Sequence, residues 1–262
     1  MKNLVGFILA RYPKLYENLL RVKGNVNSEK ILFLNLIQPN DIVFDVGANQ
    51  GHYTILFSHL VGSMGEVHAF EPLPTTFATL SKEISKFKKY DNIYLNNSAV
   101  SDTNSVANIY IPEGDHRQAS LTTHKVGSWS NAKKIETYEC QVIKLDDYAR
   151  SLSKQRLDFI KLDVEGAELL ALKGFSQSLK KFRPLIYLEI FGAWTKNFNY
   201  EPLDIIKFLM SLGYLNFYLL TSEEFRLVKI AEVEKLEALA FSANLLCAIP
   251  EVHNLIISRF MK

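Results

Sequence analysis

Glycine and carboxylate residues that follow two short apolar runs have the types and spacing that suit a nucleoside cofactor. The first run ends in Asp45, and Gly47 and Gly51 then bracket a tight turn before an amphipathic stretch. This order predicts a strand, a glycine loop and a helix start, where backbone N–H groups can approach a ligand closely. Glu71 follows the second run, twenty residues after Gly51. An acidic residue at that distance suits the two hydroxyls of a ribose.

The glycine loop favours S-adenosylmethionine over NAD. A dinucleotide fingerprint has three glycines, but Asn49 stands at the second position and His52 at the third. The carboxylate of Asp45 suits a cofactor with ammonium and sulfonium groups better than it suits a pyrophosphate. We expect the cofactor to contact Asp45, Gly47, Asn49, Gly51 and Glu71. Asn97 and Ser98 should border the adenine, because the third predicted strand ends there. The alternative is an ordinary turn between a strand and a helix.

Three further carboxylates, Asp163, Glu165 and Glu168, follow a later strand-like run. In a doubly wound sheet the end of that strand lies beside the cofactor crevice. We expect Asp163 to act as the base for a methyl acceptor, with Glu165 and Glu189 supporting it. Glu168 should have a structural role in the first turn of the next helix. Such carboxylates could also hold a divalent ion, but clustering alone is weak evidence, and we assign no metal ligand.

The order of apolar runs predicts an α/β domain. Residues 1–40 are predicted to form a helical extension, residues 41–250 the main domain and residues 251–262 a tail. Strands and helices alternate from residue 41 onward, including one long helix near 165–181, which indicates a mostly parallel sheet with helices on both faces. Strand-like runs near the end of the domain have no clear helix between them and suggest an antiparallel edge hairpin.

Residues 113–134 interrupt this alternation. The segment is polar, carries His116, His124 and Trp129, and lies between two strand-like runs. We expect it to be a mobile lid over the acceptor site, because few apolar residues could anchor it. Both histidines are alternative bases, although a histidine in a polar loop is more often solvated.

Composition limits the classes of protein to consider. The formal net charge of the 262 residues is +2, which argues against binding nucleic acid in bulk. Cys140 and Cys247 form no disulfide framework, and we expect buried thiols and a cytoplasmic location. The apolar run near the N-terminus is too short for a secretion signal, and no run has the length of a transmembrane span.

Five motifs together resemble the FkbM family of S-adenosylmethionine-dependent methyltransferases over roughly residues 40–220. They are Phe44-Asp45-Val46-Gly47-Ala48-Asn49-x-Gly51, Phe70-Glu71-Pro72, Asn97-x-Ala99-Val100-Ser101-Asp102, Ile160-Lys161-Leu162-Asp163-Val164-Glu165-Gly166-Ala167-Glu168, and Glu189. The resemblance implies the class I methyltransferase fold, a Rossmann-like, mostly parallel sheet of seven strands with an antiparallel last strand. It also implies O-methylation of a hydroxyl, often on a sugar, a glycan or a secondary metabolite.

Other functions remain as alternatives. An NAD-linked oxidoreductase is disfavoured by Asn49 and by the absence of a Tyr-x-x-x-Lys pair. A non-catalytic module on the same fold would have no need for the intact set of glycines and carboxylates. Methylation of protein, RNA or DNA is disfavoured, because the chain has no Asn/Asp-Pro-Pro-Tyr/Phe motif for amino groups and its net charge is near neutral.

Overall fold

The computed structural model describes residues 28–86, 91–220, 225–228 and 242–260. The described residues form eleven strands: β1 (Ile42–Val46), β2 (Glu66–Phe70), β3 (Ile93–Asn96), β4 (Ser98–Val100), β5 (Ser105–Pro112), β6 (Ile135–Ile143), β7 (Phe159–Leu162), β8 (Leu185–Phe191), β9 (Asn216–Leu220), β10 (Phe225–Val228) and β11 (Ser242–Ala248). They also form ten α-helices: α1 (Ser28–Leu36), α2 (His52–Val61), α3 (Pro74–Ser85), α4 (Ser128–Asn131), α5 (Leu145–Arg150), α6 (Glu168–Lys173), α7 (Ser176–Phe182), α8 (Gly192–Thr195), α9 (Pro202–Ser211) and α10 (Pro250–Phe260).

Eight of the described strands form the main sheet, in the order β10-β9-β11-β8-β7-β1-β2-β3. Strands β3, β2, β1, β7 and β8 pair in parallel, whereas β11 runs antiparallel to both β8 and β9. The mostly parallel sheet with an antiparallel last strand is therefore confirmed. The predicted edge hairpin is β9 and β10, and β10 brings the sheet to eight strands instead of seven.

Alternate residues of the central strands enter two separate cores. In β1, Phe44 and Val46 face one core and Val43 faces the other, as the period of two in a strand requires. The first core is closed by helices α5, α6, α7 and α9, and the second by α1, α2 and α10. Helices on both faces explain why every residue of β1 and β2 is buried.

A second sheet accounts for the interval where the alternation stops. Strands β4, β6 and β5 form a three-stranded sheet in that order. Buried residues such as Ile109, Ile111 and Val142 form its core. The strand-like ends at residues 106–112 and 136–144 were predicted, but their pairing with each other and with β4 was not. This small sheet carries the segment 113–134 at its end.

The long helix predicted near 165–181 is wrong, because the chain forms two helices, α6 and α7. Gly174 ends α6 where its backbone passes close to another segment, and a Cβ there would lie 2.0 Å from the carbonyl oxygen of Ser101. Asp146 then accepts hydrogen bonds from the backbone N–H groups of Gln177 and Ser178, at 3.1 and 2.8 Å, which supports the start of α7. Periodicity alone does not register such a break.

The predicted tail at residues 251–262 is also revised. Helix α10 covers Pro250–Phe260, buries Ile257 and packs against α1 and β11. Of the predicted extension at residues 1–40, residues 1–27 lie outside the described part of the chain. Helix α1 is present, and it buries Leu32 and Phe33 completely.

Helix α1 is tied to the main sheet by Glu29. Its carboxylate accepts a hydrogen bond from the hydroxyl of Tyr187 on β8 at 2.6 Å, and a second one from the hydroxyl of Tyr53 on α2. Tyr187 is only 2% exposed, so its hydroxyl depends on this acceptor. The helix that precedes the glycine loop is thus part of the folded domain.

Replacing Glu29 should therefore destabilise the fold. We expect Glu29→Ala to lower the free energy of unfolding by about 2 kcal/mol, because a buried hydroxyl loses its acceptor. Urea unfolding measures the change, with Glu83→Ala on the surface of α3 as the control, since the side chain of Glu83 is 37% exposed. Equal stabilities of the two variants would contradict this role of Glu29.

Candidate active site

A cleft opens at the carboxyl ends of β1, β2 and β7, next to the segment 113–134. It is lined by Val46, Gly47, Asn49, Phe70, Glu71, Pro72, Ser98, Ala99, Val100, Ile109, His116, Arg117, Ala119, Ser120, Leu121, Asp163, Val164, Glu165 and Ala167. Ligands of open α/β sheets bind at this edge. The structure thus brings predicted cofactor residues and predicted acceptor-side carboxylates into one cavity.

Gly47 joins the ends of three strands. Its φ is +82°, and a Cβ at this position would lie 1.8 Å from the carbonyl oxygen of Asp163 at the end of β7. Its N–H and that of Ala48 both donate to the carbonyl of Phe70 on β2, at 3.0 and 2.9 Å. Glycine is required here for the left-handed backbone and for the close approach of β7.

Glu71 holds the glycine loop through its carboxylate. One oxygen accepts the N–H of Asn49 and the other accepts the N–H of Leu73, both at 2.9 Å. Each carboxylate oxygen can accept two hydrogen bonds, so both oxygens keep acceptor capacity toward the cleft. Burial raises the pKa of Glu71 to about 7, against the lowering effect of these two hydrogen bonds.

Asp163 presents its carboxylate to the cleft beside a buried lysine. Its Oδ2 lies 3.0 Å from Nζ of Lys161, and its side chain is 31% exposed. The neighbouring carboxyl of Glu165 also lines the cleft, and its Oε2 is buried with no hydrogen-bond partner. Burial, with the negative charges of Asp163, Glu189 and Glu168, raises the pKa of Glu165 far above its usual range. This shift favours the protonated form of Glu165, in which the carboxyl group can donate a hydrogen bond.

The loop after β7 is shaped by Glu168. Its Oε1 accepts the N–H groups of Val164 and Gly166, at 3.2 and 3.1 Å. The backbone is left-handed at both Glu165 and Gly166, with φ of +53° and +99°. This clamp gives Glu168 the predicted structural role and turns the carboxyl of Glu165 into the cleft.

The segment 113–134 is anchored, contrary to the expectation of a polar segment without anchors. His124 is 5% exposed and stacks on the ring of Trp194, with ring centroids 5.0 Å apart, while Trp129 packs edge-on against it. Asn197 donates to its Nδ1 at 2.8 Å, and its Nε2 lies 3.2 Å from the carbonyl oxygen of Glu165. Burial lowers the pKa of His124 to about 4, so the ring is neutral and serves as an anchor.

Ser120 adds a second tie between this segment and the loop after β7. Its hydroxyl donates to the carbonyl oxygen of Glu165 at 2.8 Å, and its backbone pairs with Tyr110 of β5.

Of the two alternative bases, His116 lines the cleft while His124 does not. Tertiary packing between the aromatic rings thus replaces the local apolar pattern that the segment lacks.

Comparison with known proteins identifies the family of this chain. The sequence profile of the methyltransferase FkbM domain matches residues 45–215, which is more than half of the chain. The chain belongs to the FkbM methyltransferase family. Its cofactor is therefore S-adenosylmethionine, and the NAD-linked alternative is set aside.

Three relatives of this FkbM domain have assigned names. The 31-O-demethyl-FK506 methyltransferase FkbM of Streptomyces tacrolimicus is 29% identical over 160 residues, covering 53% of this chain and 60% of that protein. The hexuronic acid methyltransferase AglP of Haloferax volcanii is 29% identical, covering 68% and 65%. The 2-O-methyltransferase NoeI of Sinorhizobium fredii is 26% identical, covering 70% and 78%. The chain thus spans less than two thirds of the length of the first two relatives.

Solved structures support the fold. The crystal structure of a candidate rRNA methylase from Clostridium thermocellum superposes with a TM-score of 0.51, covering 85% of this chain and 96% of that one. Its sequence is only 12% identical, so the likeness concerns the fold alone.

The residues of this FkbM site fit S-adenosylmethionine. Fewer of the predicted cofactor residues line the cleft than the sequence predicted. Gly47, Asn49, Glu71 and Ser98 line the cleft, and the buried Oγ of Ser98 has no hydrogen-bond partner. Such an orphaned polar atom is what a bound ligand can satisfy. Asp45, Gly51 and Asn97 do not line the cleft.

These three residues lie outside the cleft and contact the residues and elements around it. Asp45 is fully buried, accepts a hydrogen bond from Thr54 at 2.6 Å, and lies 3.9 Å from Nζ of Lys161. Asn97 donates to the carbonyl of Glu71 at 2.8 Å. Gly51 starts helix α2 with φ of +85°, and a Cβ there would lie 2.5 Å from Cδ1 of Leu80.

The pKa of Glu71 predicts a pH dependence of cofactor binding. As the predicted ribose ligand, Glu71 would accept the ribose hydroxyls in its ionised form, and with a pKa of about 7 this form increases from pH 6 to pH 8. We expect the Kd for S-adenosylhomocysteine to fall about tenfold over that interval, since the protonated fraction falls from most of the protein to little of it. Calorimetry measures this, and Glu71→Gln should bind weakly at both pH values. An unchanged Kd in the wild type would remove Glu71 from the ribose site.

The structure changes the set of site residues at Glu189 and at Lys161. Glu189 lies on β8 opposite Asn244 of β11 and does not line the cleft, although its charge acts on Glu165. Lys161 was missed as a site residue. The period of two in a strand places Lys161 and Asp163 on one face, and this signal was present in the sequence.

No helix within the described ranges combines the length and the apolar character needed to cross a membrane. In the same part of the chain, no group of three or more His, Cys, Asp or Glu side chains has an arrangement that could hold a metal ion. Cys140 and Cys247 are buried free thiols, as predicted.

Proposed function

We propose that this protein transfers a methyl group from S-adenosylmethionine to a hydroxyl of a sugar, a glycan or a secondary metabolite. The observation that carries the proposal is the position of Asp163. Its partly exposed carboxylate shares one cleft with the glycine loop and Glu71. A carboxylate at that place can accept the proton of an acceptor hydroxyl as the oxygen is methylated.

The side chains around the cleft support the chemistry by position and by charge. S-Adenosylmethionine, when bound, supplies an electrophilic methyl group. Glu71 and Asn49 hold the nucleoside end, and Asp163 receives the hydroxyl proton at its carboxylate. Glu165 is neutral and donates a hydrogen bond that orients the acceptor. Alignment of the acceptor oxygen supplies much of the rate in such a displacement.

The names of two relatives support a hydroxyl acceptor, since one is named as a 2-O-methyltransferase and one as a methyltransferase of 31-O-demethyl-FK506. The third is named as a hexuronic acid methyltransferase, a name that specifies a sugar acid and no position. Their acceptors differ in size and class, so we propose the type of acceptor group and not one compound. Nucleic acid is not proposed as an acceptor, since the net charge is only +2.

Transfer of labelled methyl groups tests the proposal. The protein is incubated with S-adenosylmethionine labelled in its methyl group and with separate glycan, small-metabolite, RNA and protein fractions of a cell extract. We expect label in the glycan or metabolite fraction, stable to mild base, because a methyl ether resists hydrolysis and a methyl ester does not. Label found only in RNA or protein, or lost in mild base, would contradict the proposal. Absence of transfer to every fraction would favour a non-catalytic module.

A further inference from the structure

Lys161 is a buried lysine in the centre of the main sheet. It lies on β7, and its side chain is only 4% exposed. Removing an ammonium group from water is costly unless charges and hydrogen bonds compensate it. The surroundings of Lys161 must therefore compensate the cost of burying its charge, which strand β7 by itself does not do.

The ammonium of Lys161 touches the residues that shape the cleft. Its Nζ lies 3.0 Å from Oδ2 of Asp163, 3.5 Å from the carbonyl oxygen of Gly47 and 3.9 Å from Oδ1 of Asp45. Burial lowers the pKa of Lys161, but the charges of Asp163 and Asp45 outweigh this and raise it, so the group stays a cation. One cation thus joins the glycine loop after β1 to the carboxylate after β7.

Further groups enclose this cation. The ring of Tyr53 on α2 lies 5.7 Å from Nζ, and Tyr53 donates to Glu29 of α1, whose charge also acts on Lys161. The titratable groups around the ammonium are Asp45 on β1, Asp163 after β7, Tyr53 on α2 and Glu29 on α1, with Glu71 and Glu165 acting over a longer range. The cation faces mainly acidic groups.

We propose that Lys161 is a positioning residue for methyl transfer, which fixes the carboxylate of Asp163 against the glycine loop. This inference rests on the proposed function, because it assigns Asp163 to the acceptor. Lys161 itself does not line the cleft, so it acts through Asp163 and Gly47. A merely structural lysine would affect stability, whereas a positioning lysine also controls turnover and its pH profile.

Lys161→Met is the test, because methionine has a similar length and no charge. We expect kcat to fall on the order of a hundredfold while the Kd for S-adenosylhomocysteine changes by less than about threefold, since a small misplacement of a reacting group has this effect. The acid limb of the kcat–pH profile should move to higher pH, because two carboxylates lose their shared cation. Lys154→Met is the matched control, since Lys154 pairs with Glu66 at 3.0 Å at the other end of the sheet.

A measurement without substrate separates this inference from the proposed function. The unfolding midpoint of ligand-free Lys161→Met should lie furthest below that of the wild type near pH 8. The difference should shrink toward pH 5, because the unpaired carboxylates of the variant can then bind protons. If the wild type methylates nothing, the proposed function fails, while this measurement still tests the pairing of Lys161 with Asp163 and Asp45 on which the inference depends. A stability difference that does not change with pH would contradict that pairing and overturn the inference.

Two further results would overturn the proposal. One is a Lys161→Met variant whose kcat and kcat–pH profile match those of Lys154→Met. The other is a loss of S-adenosylhomocysteine affinity as large as the loss of kcat, which would assign Lys161 to the cofactor pocket. Should Lys161→Met fail to fold, the double variant Asp45→Asn/Lys161→Met removes one charge of each sign and is compared with Asp45→Asn. The double variant should show the same loss of kcat, and equal turnover of these two proteins would also overturn the proposal.

Discussion

We expect Gly47→Ala to abolish cofactor binding and methyl transfer. The added Cβ would lie 1.8 Å from the carbonyl oxygen of Asp163, which is a backbone atom and cannot move aside alone. The ends of β1 and β7 must therefore separate, and this displaces Gly47 and Asp163, which line the cleft. We expect the free energy of unfolding to fall by about 3 kcal/mol, from overpacking and from a left-handed backbone at alanine. Urea unfolding and calorimetry with S-adenosylhomocysteine measure both effects.

Gly213→Ala is the matched control for this variant. Its φ of +92° is similar, but no atom lies within 4 Å of the added Cβ. It should lose only the backbone contribution, about 1–2 kcal/mol, and keep its affinity for S-adenosylhomocysteine. Normal cofactor binding by Gly47→Ala would show that the close approach of β7 is not needed for the site.

Asp163→Asn removes the carboxylate that we assign to the acceptor and keeps the size of the side chain. We expect kcat to fall about a hundredfold or more, because an amide cannot accept the hydroxyl proton, while the Kd for S-adenosylhomocysteine stays within about twofold. Methyl transfer to the best acceptor fraction measures the first quantity and calorimetry the second. Asp91→Asn, at an exposed position before β3, is the control for replacing an aspartate by an asparagine.

A companion variant separates the roles of the two carboxyls. Glu165→Gln keeps a hydrogen-bond donor, so it should retain most of the turnover that Asp163→Asn loses. The opposite pattern, with the larger loss in Glu165→Gln, would make Glu165 the base. Loss of cofactor binding in Asp163→Asn would place Asp163 in the cofactor pocket or in the scaffold.

The sequence alone predicted the parts of the site that short motifs encode. Gly47 and Glu71 follow apolar runs, and each parallel strand delivers its last residues to the same edge of the sheet. Asp163 and Glu165 reach the cleft by the same rule, and both line it. A strand followed by a glycine loop and a helix is a local arrangement, so its sequence pattern is sufficient to locate it.

The tertiary structure alone decided which of these side chains line the cleft and what holds them there. Asp45 has the right spacing, yet it is turned away from the cleft toward Thr54 and Lys161. His124 lies in a polar stretch, yet the ring of Trp194, which is distant in the chain, stacks on it and helps to bury it. Gly174 breaks a continuous helical pattern because the backbone of Ser101 passes against it. In each case the deciding contact joins residues far apart in the chain, and local patterns of polarity carry no information about such contacts.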